Sequence, residues 1–346
     1  MGSPGKNGKP VFCAGGDVKS VYMDGVGVRG VVVGGGKDEV ATRQRQHGFG
    51  ERGLLTADYF REEYIMNHRI ATQEHGYRPQ VSIWNGVVMG GGVGISVHGR
   101  YRVATENTVF AMPETAIGLF PDVGGTWWLP RLKGGMGSFI ALTGIRLRSD
   151  DLMFAGLATH YIPEERLGDL RELLVEATKE ADGDEDCAAS VLMSLHENIP
   201  KDNCFLAKHQ DEIDAAFGGN NRTVEDIMAS LETLASSGSK FGADVLDTLG
   251  RVSPTSLKVT HEGLRRGLVA NSVAEALRTE YRMAQGFMRN GSDFYEGTRA
   301  LLVDKDKDAK WNPKGLEAVT DEFVSSFFDS LGENDLDLDG QSSSKL

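Results

Sequence analysis

Apolar positions divide this chain into two parts. Up to about residue 163 they fall in short runs and alternations separated by glycine turns. Val11-Phe12-Cys13 reads as a short buried strand, broken at Gly15-Gly16-Asp17, with Asp17 placed to cap a following helix. Helical spacing over residues 57–70 turns Phe60, Tyr64 and either Ile65 or Met66 inward. Val81-Ser82-Ile83-Trp84 is predicted as a strand, and Gly90-Gly91-Gly92 as the turn that opens a helix through Ser96. Residues 101–111 alternate as one strand, residues 113–125 form a loop, and order resumes over residues 126–132 with Trp127 and Trp128. Beyond residue 164 helical periods dominate. The clearest helix opens with a capping box, Ser272 and Glu275, and buries Val273, Leu277, Tyr281, Ala284 and Met288. Residues 333–346 are acidic and then serine-rich, the composition of a disordered tail.

Composition narrows the class. Hydrophobic residues make up 40% of the 346 and charged residues 25%, as in ordinary globular proteins. A net charge of −13 disfavours a nucleic acid partner, which needs a basic surface, and gives no attraction to an anionic membrane. No apolar run reaches the roughly 20 residues of a membrane helix, and no signal peptide is evident. Cys13, Cys187 and Cys204 lie far apart, and the histidines are scattered. Neither a disulfide framework nor a metal site is expected. Residues 24–53 are glycine-rich and charged, and read as a long surface insertion. Within it, Gly34-Gly35-Gly36-Lys37 fails the phosphate-loop pattern, because Val31 stands where a glycine is needed and Asp38 where Ser or Thr is needed.

Candidate chemistry sits at two glycine turns and one loop. Gly15-Gly16 and Gly90-Gly91-Gly92 each link a strand to a helix, where free N–H groups and the helix dipole favour developing negative charge. Such glycines also serve plain tight turns. The loop holds Glu114 and Asp122 among apolar residues, where carboxyl pKa values rise toward an acid–base range. Asp122, ahead of Val123-Gly124-Gly125, also fits an Asx-turn. Cys13 and His98 read as structural residues.

These motifs resemble the crotonase superfamily: the Phe12–Asp17 turn, Gly90–Gly92, the run Tyr101-Arg102-Val103-Ala104-Thr105, and Pro113-Glu114 through Gly124-Gly125. Arg61-Glu62-Glu63-Tyr64, the MGGGVGISVHG run from Met89, the FAMPETAIGLFPDVGG run from Phe110, Ser253-Pro254-Thr255-Ser256-Leu257-Lys258 and the DFYEGTRALLVDKDKDAKW run from Asp293 are similar to its 3-hydroxyisobutyryl-CoA hydrolase branch. The resemblance implies an α/β core, a ββα spiral over residues 1–163, followed by a mostly helical region over 164–332. It implies hydrolysis of a short 3-hydroxyacyl-CoA thioester in valine breakdown, with no metal or cofactor beyond the CoA of the substrate. The N–H groups of Gly16 and Gly91 would form the oxyanion hole, Glu114 would be the principal catalytic carboxylate and Asp122 the second, and Glu63 would hold the hydroxyl end of the substrate. The segment from Glu296-Gly297 through the following lysines matches one near the CoA moiety.

The alternatives are an enoyl-CoA hydratase or isomerase and an inactive crotonase-like binding subunit. Hydratases resemble this core but carry a second glutamate where Gly94 stands, and usually a glycine where Asp122 stands. The resemblance also implies about two strands and a helix ahead of Phe12. Only eleven residues precede it here, so an N-terminally incomplete core is expected. A homo-oligomer is possible. The ending Ser344-Lys345-Leu346 matches a peroxisomal address, implying an import receptor as partner. A mitochondrial location is the alternative if a longer N-terminus exists.

Overall fold

The computed structural model of the protein describes residues 3–4, 10–26, 54–72, 79–180, 186–199, 201–219 and 222–338. Most of the expected insertion and the Ser344-Lys345-Leu346 ending lie outside them. Among the described residues, seven strands form two sheets. In chain order they are β1 (Ser3–Pro4), β2 (Pro10–Cys13), β3 (Val81–Trp84), β4 (Val87–Met89), β5 (Tyr101–Ala104), β6 (Val109–Ala111) and β7 (His160–Tyr161). One sheet has the order β1-β2-β4-β6 and the other β3-β5-β7. Apart from the antiparallel β1–β2 pair, every pairing is parallel.

From β3 onward successive strands change sheet, so each turn of the chain lays one strand in each sheet before a helix carries it back. The first change happens at Asn85-Gly86, where Gly86 has φ +104° and a Cβ would lie 2.0 Å from the Pro10 carbonyl oxygen. The second happens at residues 105–108, and here the structure differs from the single strand expected over residues 101–111. The Thr105 N–H donates to Thr108 Oγ1 at 2.8 Å and the Thr108 N–H returns to Thr105 O at 3.1 Å, closing a turn between β5 and β6. Alternation continues on both sides of that turn, so periodicity alone does not reveal it. Thr105 Oγ1 and Asn107 Nδ2 both donate to Asn85 Oδ1, at 2.9 and 3.1 Å, tying one switch point to the other.

Trp84, Val88, Phe110, Met112 and Phe120 fill the core between sheet and helices without exposure. The helix Leu54–Thr72 buries Phe60, Tyr64 and Asn67; Ile65 packs on the core, while Met66 is 42% exposed. A second apolar cluster (Tyr101, Val103, Ile162, Leu170, Leu192, Leu195) covers β5 and β7 with the helix pair Leu167–Glu180 and Asp186–Leu195.

After residue 164 the described chain is mostly helical. Ser272 accepts the Glu275 N–H as expected, but the Glu275 carboxylate takes the N–H of Asn271, not that of Ser272. Of the expected inner face of this helix, Leu277, Tyr281, Ala284 and Met288 are buried and Val273 is half-buried. The helix Val273–Phe287 packs against Leu54–Thr72. Order extends into the segment expected to be a tail: Leu336 and Leu338 are buried, and Asp335 pairs with Arg282 at 2.7 Å.

Candidate active site

The two glycine turns lie side by side at the C-terminal ends of β2 and β4, which are parallel neighbours. Gly91 opens the helix Gly91–Val97, so its N–H is one of the groups without an intrahelical acceptor. A Cβ at Gly91 would lie 3.5 Å from the backbone nitrogen of Gly16 and 2.4 Å from Glu63 Oε1. A Cβ at Gly16 would lie 1.4 Å from the Tyr59 hydroxyl oxygen. Any side chain at either turn would have to displace Glu63 or Tyr59, which lie one helical turn apart on Leu54–Thr72 and crowd the same spot. On the far side, Glu114 Oε1 would be 3.5 Å from a Cβ on Gly90.

These groups line one cavity of about 480 Å3, together with Asp122. Its apolar lining includes Val18, Phe60 and Met89 from the sheet region and Phe294, Leu301 and Leu302 from the helical region, so the helical region closes a site that the sheet region opens. The helix Asp293–Thr298 seats directly on the loop, where a Cβ at Gly118 would lie 2.1 Å from the Asp293 carbonyl oxygen. Lys19 and Lys305 also line the cavity, beside Asp17, and bring positive charge to it in an acidic protein.

Glu114 begins a 3-10 turn, Glu114–Ile117, and is 6% exposed; its Oε2 has no hydrogen-bond partner. Burial, and then the nearby Asp122, push its carboxyl well above the usual carboxylate range. Asp122 is 5% exposed. Burial raises it to about 6, while the Tyr64 hydroxyl, donating at 2.9 Å to Oδ2, pulls the other way. Glu63 rises to about 8, from burial first and then from Asp122 and Glu280. The three expected carboxylates thus meet at one cavity in unequal surroundings, the condition for dividing acid and base roles.

Sequence reasoning missed Glu280, Tyr64's role and Asn67. Glu280 has no exposure, and it grips the loop just after Asp122 through Gly124 and Thr126. Asn67 is buried, with neither side-chain polar atom partnered. Among the missed groups only Tyr64 lay within a stretch that carries the family resemblance. His98 is structural, as expected: its Nε2 bonds the Val123 carbonyl at 2.8 Å.

The family described as enoyl-CoA hydratase/isomerase matches residues 5–328. The chain belongs to this family. Among its curated relatives, the mitochondrial 3-hydroxyisobutyryl-CoA hydrolase of Xenopus laevis is 46% identical over 96% of this chain and 78% of its own length. The human protein of the same name is 42% identical over 96% of this chain and 77% of its own. Two solved structures share the crotonase-type fold. The first, an enoyl-CoA hydratase from Rhodobacter sphaeroides 2.4.1, is 35% identical with TM-score 0.75 and covers 94% of this chain and 82% of its own. The second, a carnitinyl-CoA dehydratase from Mycobacterium thermoresistibile, is 31% identical with TM-score 0.74 and covers 95% and 82%. The α/β crotonase core and the resemblance to the hydrolase branch are therefore shown.

One expectation is corrected. The curated relatives are mitochondrial, which overturns the peroxisomal address read from Ser344-Lys345-Leu346 and leaves the import receptor without support. A three-residue terminal match is too short to outweigh similarity along nearly the whole chain.

Proposed function

We propose that this chain is a 3-hydroxyisobutyryl-CoA hydrolase that cleaves short 3-hydroxyacyl-CoA thioesters with water in mitochondria, as part of valine breakdown. The observation that carries the reading against a hydratase is the packing at Gly94. A Cβ there would lie 2.7 Å from Val123 Cβ and 2.8 Å from Asn67 Nδ2, so the hydratase-type glutamate has no room, while Asp122 lines the cavity instead. The convergence of Glu63, Glu114 and Asp122 on the two glycine turns supports an enzyme over an inactive binding subunit, because burying these carboxyls costs stability without chemistry to justify it.

The thioester oxygen accepts from the N–H groups of Gly16 and Gly91, which stabilise charge as the carbonyl becomes tetrahedral. Glu114 either takes a proton from water as it adds to the carbonyl carbon or attacks that carbon to give a mixed anhydride that water then opens. Asp122 orients the water or supplies a proton to the departing sulfur. In both routes the C–S bond breaks, one water is consumed, and the products are the hydroxy acid and CoA thiol. Glu63 accepts from the substrate hydroxyl, and Lys19 and Lys305 attract the phosphates of the CoA portion. The reaction as written needs no metal and no further cofactor.

The test is thiol release from 3-hydroxyisobutyryl-CoA by the wild-type chain and by Glu114→Ala, with crotonyl-CoA as the second substrate. Thiol release that disappears in the variant, with no hydration of crotonyl-CoA, is expected. Hydration without thiol release would establish the hydratase instead, and a folded protein turning over neither would sink the proposal.

A further inference from the structure

We infer that Glu280 is a positioning residue that fixes Asp122 in the cavity by holding the backbone immediately after it. The kinetic half of this inference rests on the hydrolase reading above. Asp122 is followed by Val123, whose φ of +52° places a β-branched residue in the left-handed region, where a side chain next to a branched Cβ is disfavoured. Gly124 follows at φ +81°. Two consecutive left-handed residues re-aim the chain, and they need outside contacts to hold them.

Those contacts come from two other elements. His98 Nε2 lies 2.8 Å from Val123 O. Glu280, on the helix Val273–Phe287, accepts the Gly124 N–H on Oε2 at 2.7 Å, and the Thr126 N–H and hydroxyl on Oε1 at 2.8 and 2.7 Å. Three donors thus converge on one carboxyl with no exposure. Both carboxyl oxygens act as acceptors here, Oε2 toward one donor and Oε1 toward two. A glutamine of the same shape does not accept at both ends, since its NH2 end turns a donor toward a donor. Its pKa follows the same balance: burial pushes Glu280 up, to about 8, while Gly124 and Thr126 pull it back.

The blander account is that Glu280 merely stabilises the fold. The two accounts differ in whether its effect passes through Asp122. The experiment measures kcat and KM for thiol release in Glu280→Gln, Asp122→Asn and the double variant. In parallel, hydrogen exchange is followed in the peptide covering residues 121–126. Positioning predicts that Glu280→Gln lowers kcat roughly 10- to 100-fold, the cost of a small misplacement of a reacting group, with KM within about twofold. It also predicts that the same change costs nothing further once Asp122 is Asn. A purely structural role costs the same in both backgrounds, and that result would overturn the inference. If the wild-type chain releases no thiol, the hydrolase reading fails and exchange decides alone. Faster exchange confined to residues 121–126 upholds the hold on the loop, and unchanged exchange refutes it. Should Glu280→Gln not fold, Thr126→Val removes the hydroxyl contact alone, with the same readouts and a smaller expected loss.

Discussion

The hydroxyl of Tyr64 donates to Oδ2 of Asp122 at 2.9 Å, both side chains being buried, across a sequence separation of 58 residues. It gives Asp122 a donor that Glu114 Oε2 lacks, and so separates the acidities of two carboxyls in one cavity. Removing the donor disfavours the charged form of Asp122. In Tyr64→Phe the limb of the kcat/KM profile set by Asp122 (the acid limb if it acts ionised, the alkaline limb if it donates a proton) is expected to move to higher pH by roughly one to two units, the equivalent of one hydrogen bond to a charged group. A limb that stays in place would mean that Asp122 does not titrate in the rate.

The glycine turns make a steric prediction. In Gly91→Ala the new methyl collides with Glu63 Oε1 and enters the cavity beside the Gly16 nitrogen. Both N–H donors remain, so the expected effect is a misplaced carbonyl: a fall in kcat of roughly 10²-fold, the cost of about 1 Å of displacement. Steady-state thiol release checks it, with circular dichroism to show that the protein is folded.

Gly94→Glu tests why this chain is not a hydratase. The substitution forces a side chain between Val123 and Asn67 and buries a carboxyl there. The expected outcome is a loss of about 1–3 kcal/mol from overpacking alone, read as a lower Tm, with no gain in crotonyl-CoA hydration. Hydration appearing in a stable variant would show that the space exists after all.

Burial of Glu63 ties stability to pH. Its folded pKa, about 8, lies above the ordinary 4.5, so between those values the folded protein holds a proton that the unfolded chain releases. The stability this proton contributes is full below about pH 4.5 and is lost as pH rises through 8. Glu63→Gln is permanently neutral and escapes the loss. Its stability relative to wild type is therefore expected to rise from pH 5 to pH 8, by on the order of 1 kcal/mol per pH unit at most. Urea denaturation at several pH values checks this; a constant difference would show that Glu63 ionises normally.

What was legible in the sequence was local. A glycine run after a strand, or a carboxylate in an apolar loop, declares its chemistry within a few residues. The roles of Glu280 and Tyr64 come from partners 156 and 58 residues away, and no local signal marks them. On the helix Val273–Phe287, Glu280 lies beside the apolar position Tyr281 and reads as one more charged residue of an amphipathic helix. The break within residues 101–111 escaped for a different reason: both halves alternate, and only the Thr105–Thr108 turn assigns them to different sheets. Likewise the acidic composition after residue 332 concealed Leu336 and Leu338, which are buried in the core.

The cavity wall begins at Ala14 and reaches Lys305. Glu63, Glu114 and Asp122 precede Glu280, Phe294 and Leu302 in the chain, so the cavity that buries the three carboxyls is complete only once the later segment has docked. The unusual proton affinities of the site therefore appear only when its last wall docks, through contacts so distant in sequence that their closure is intrinsically slow.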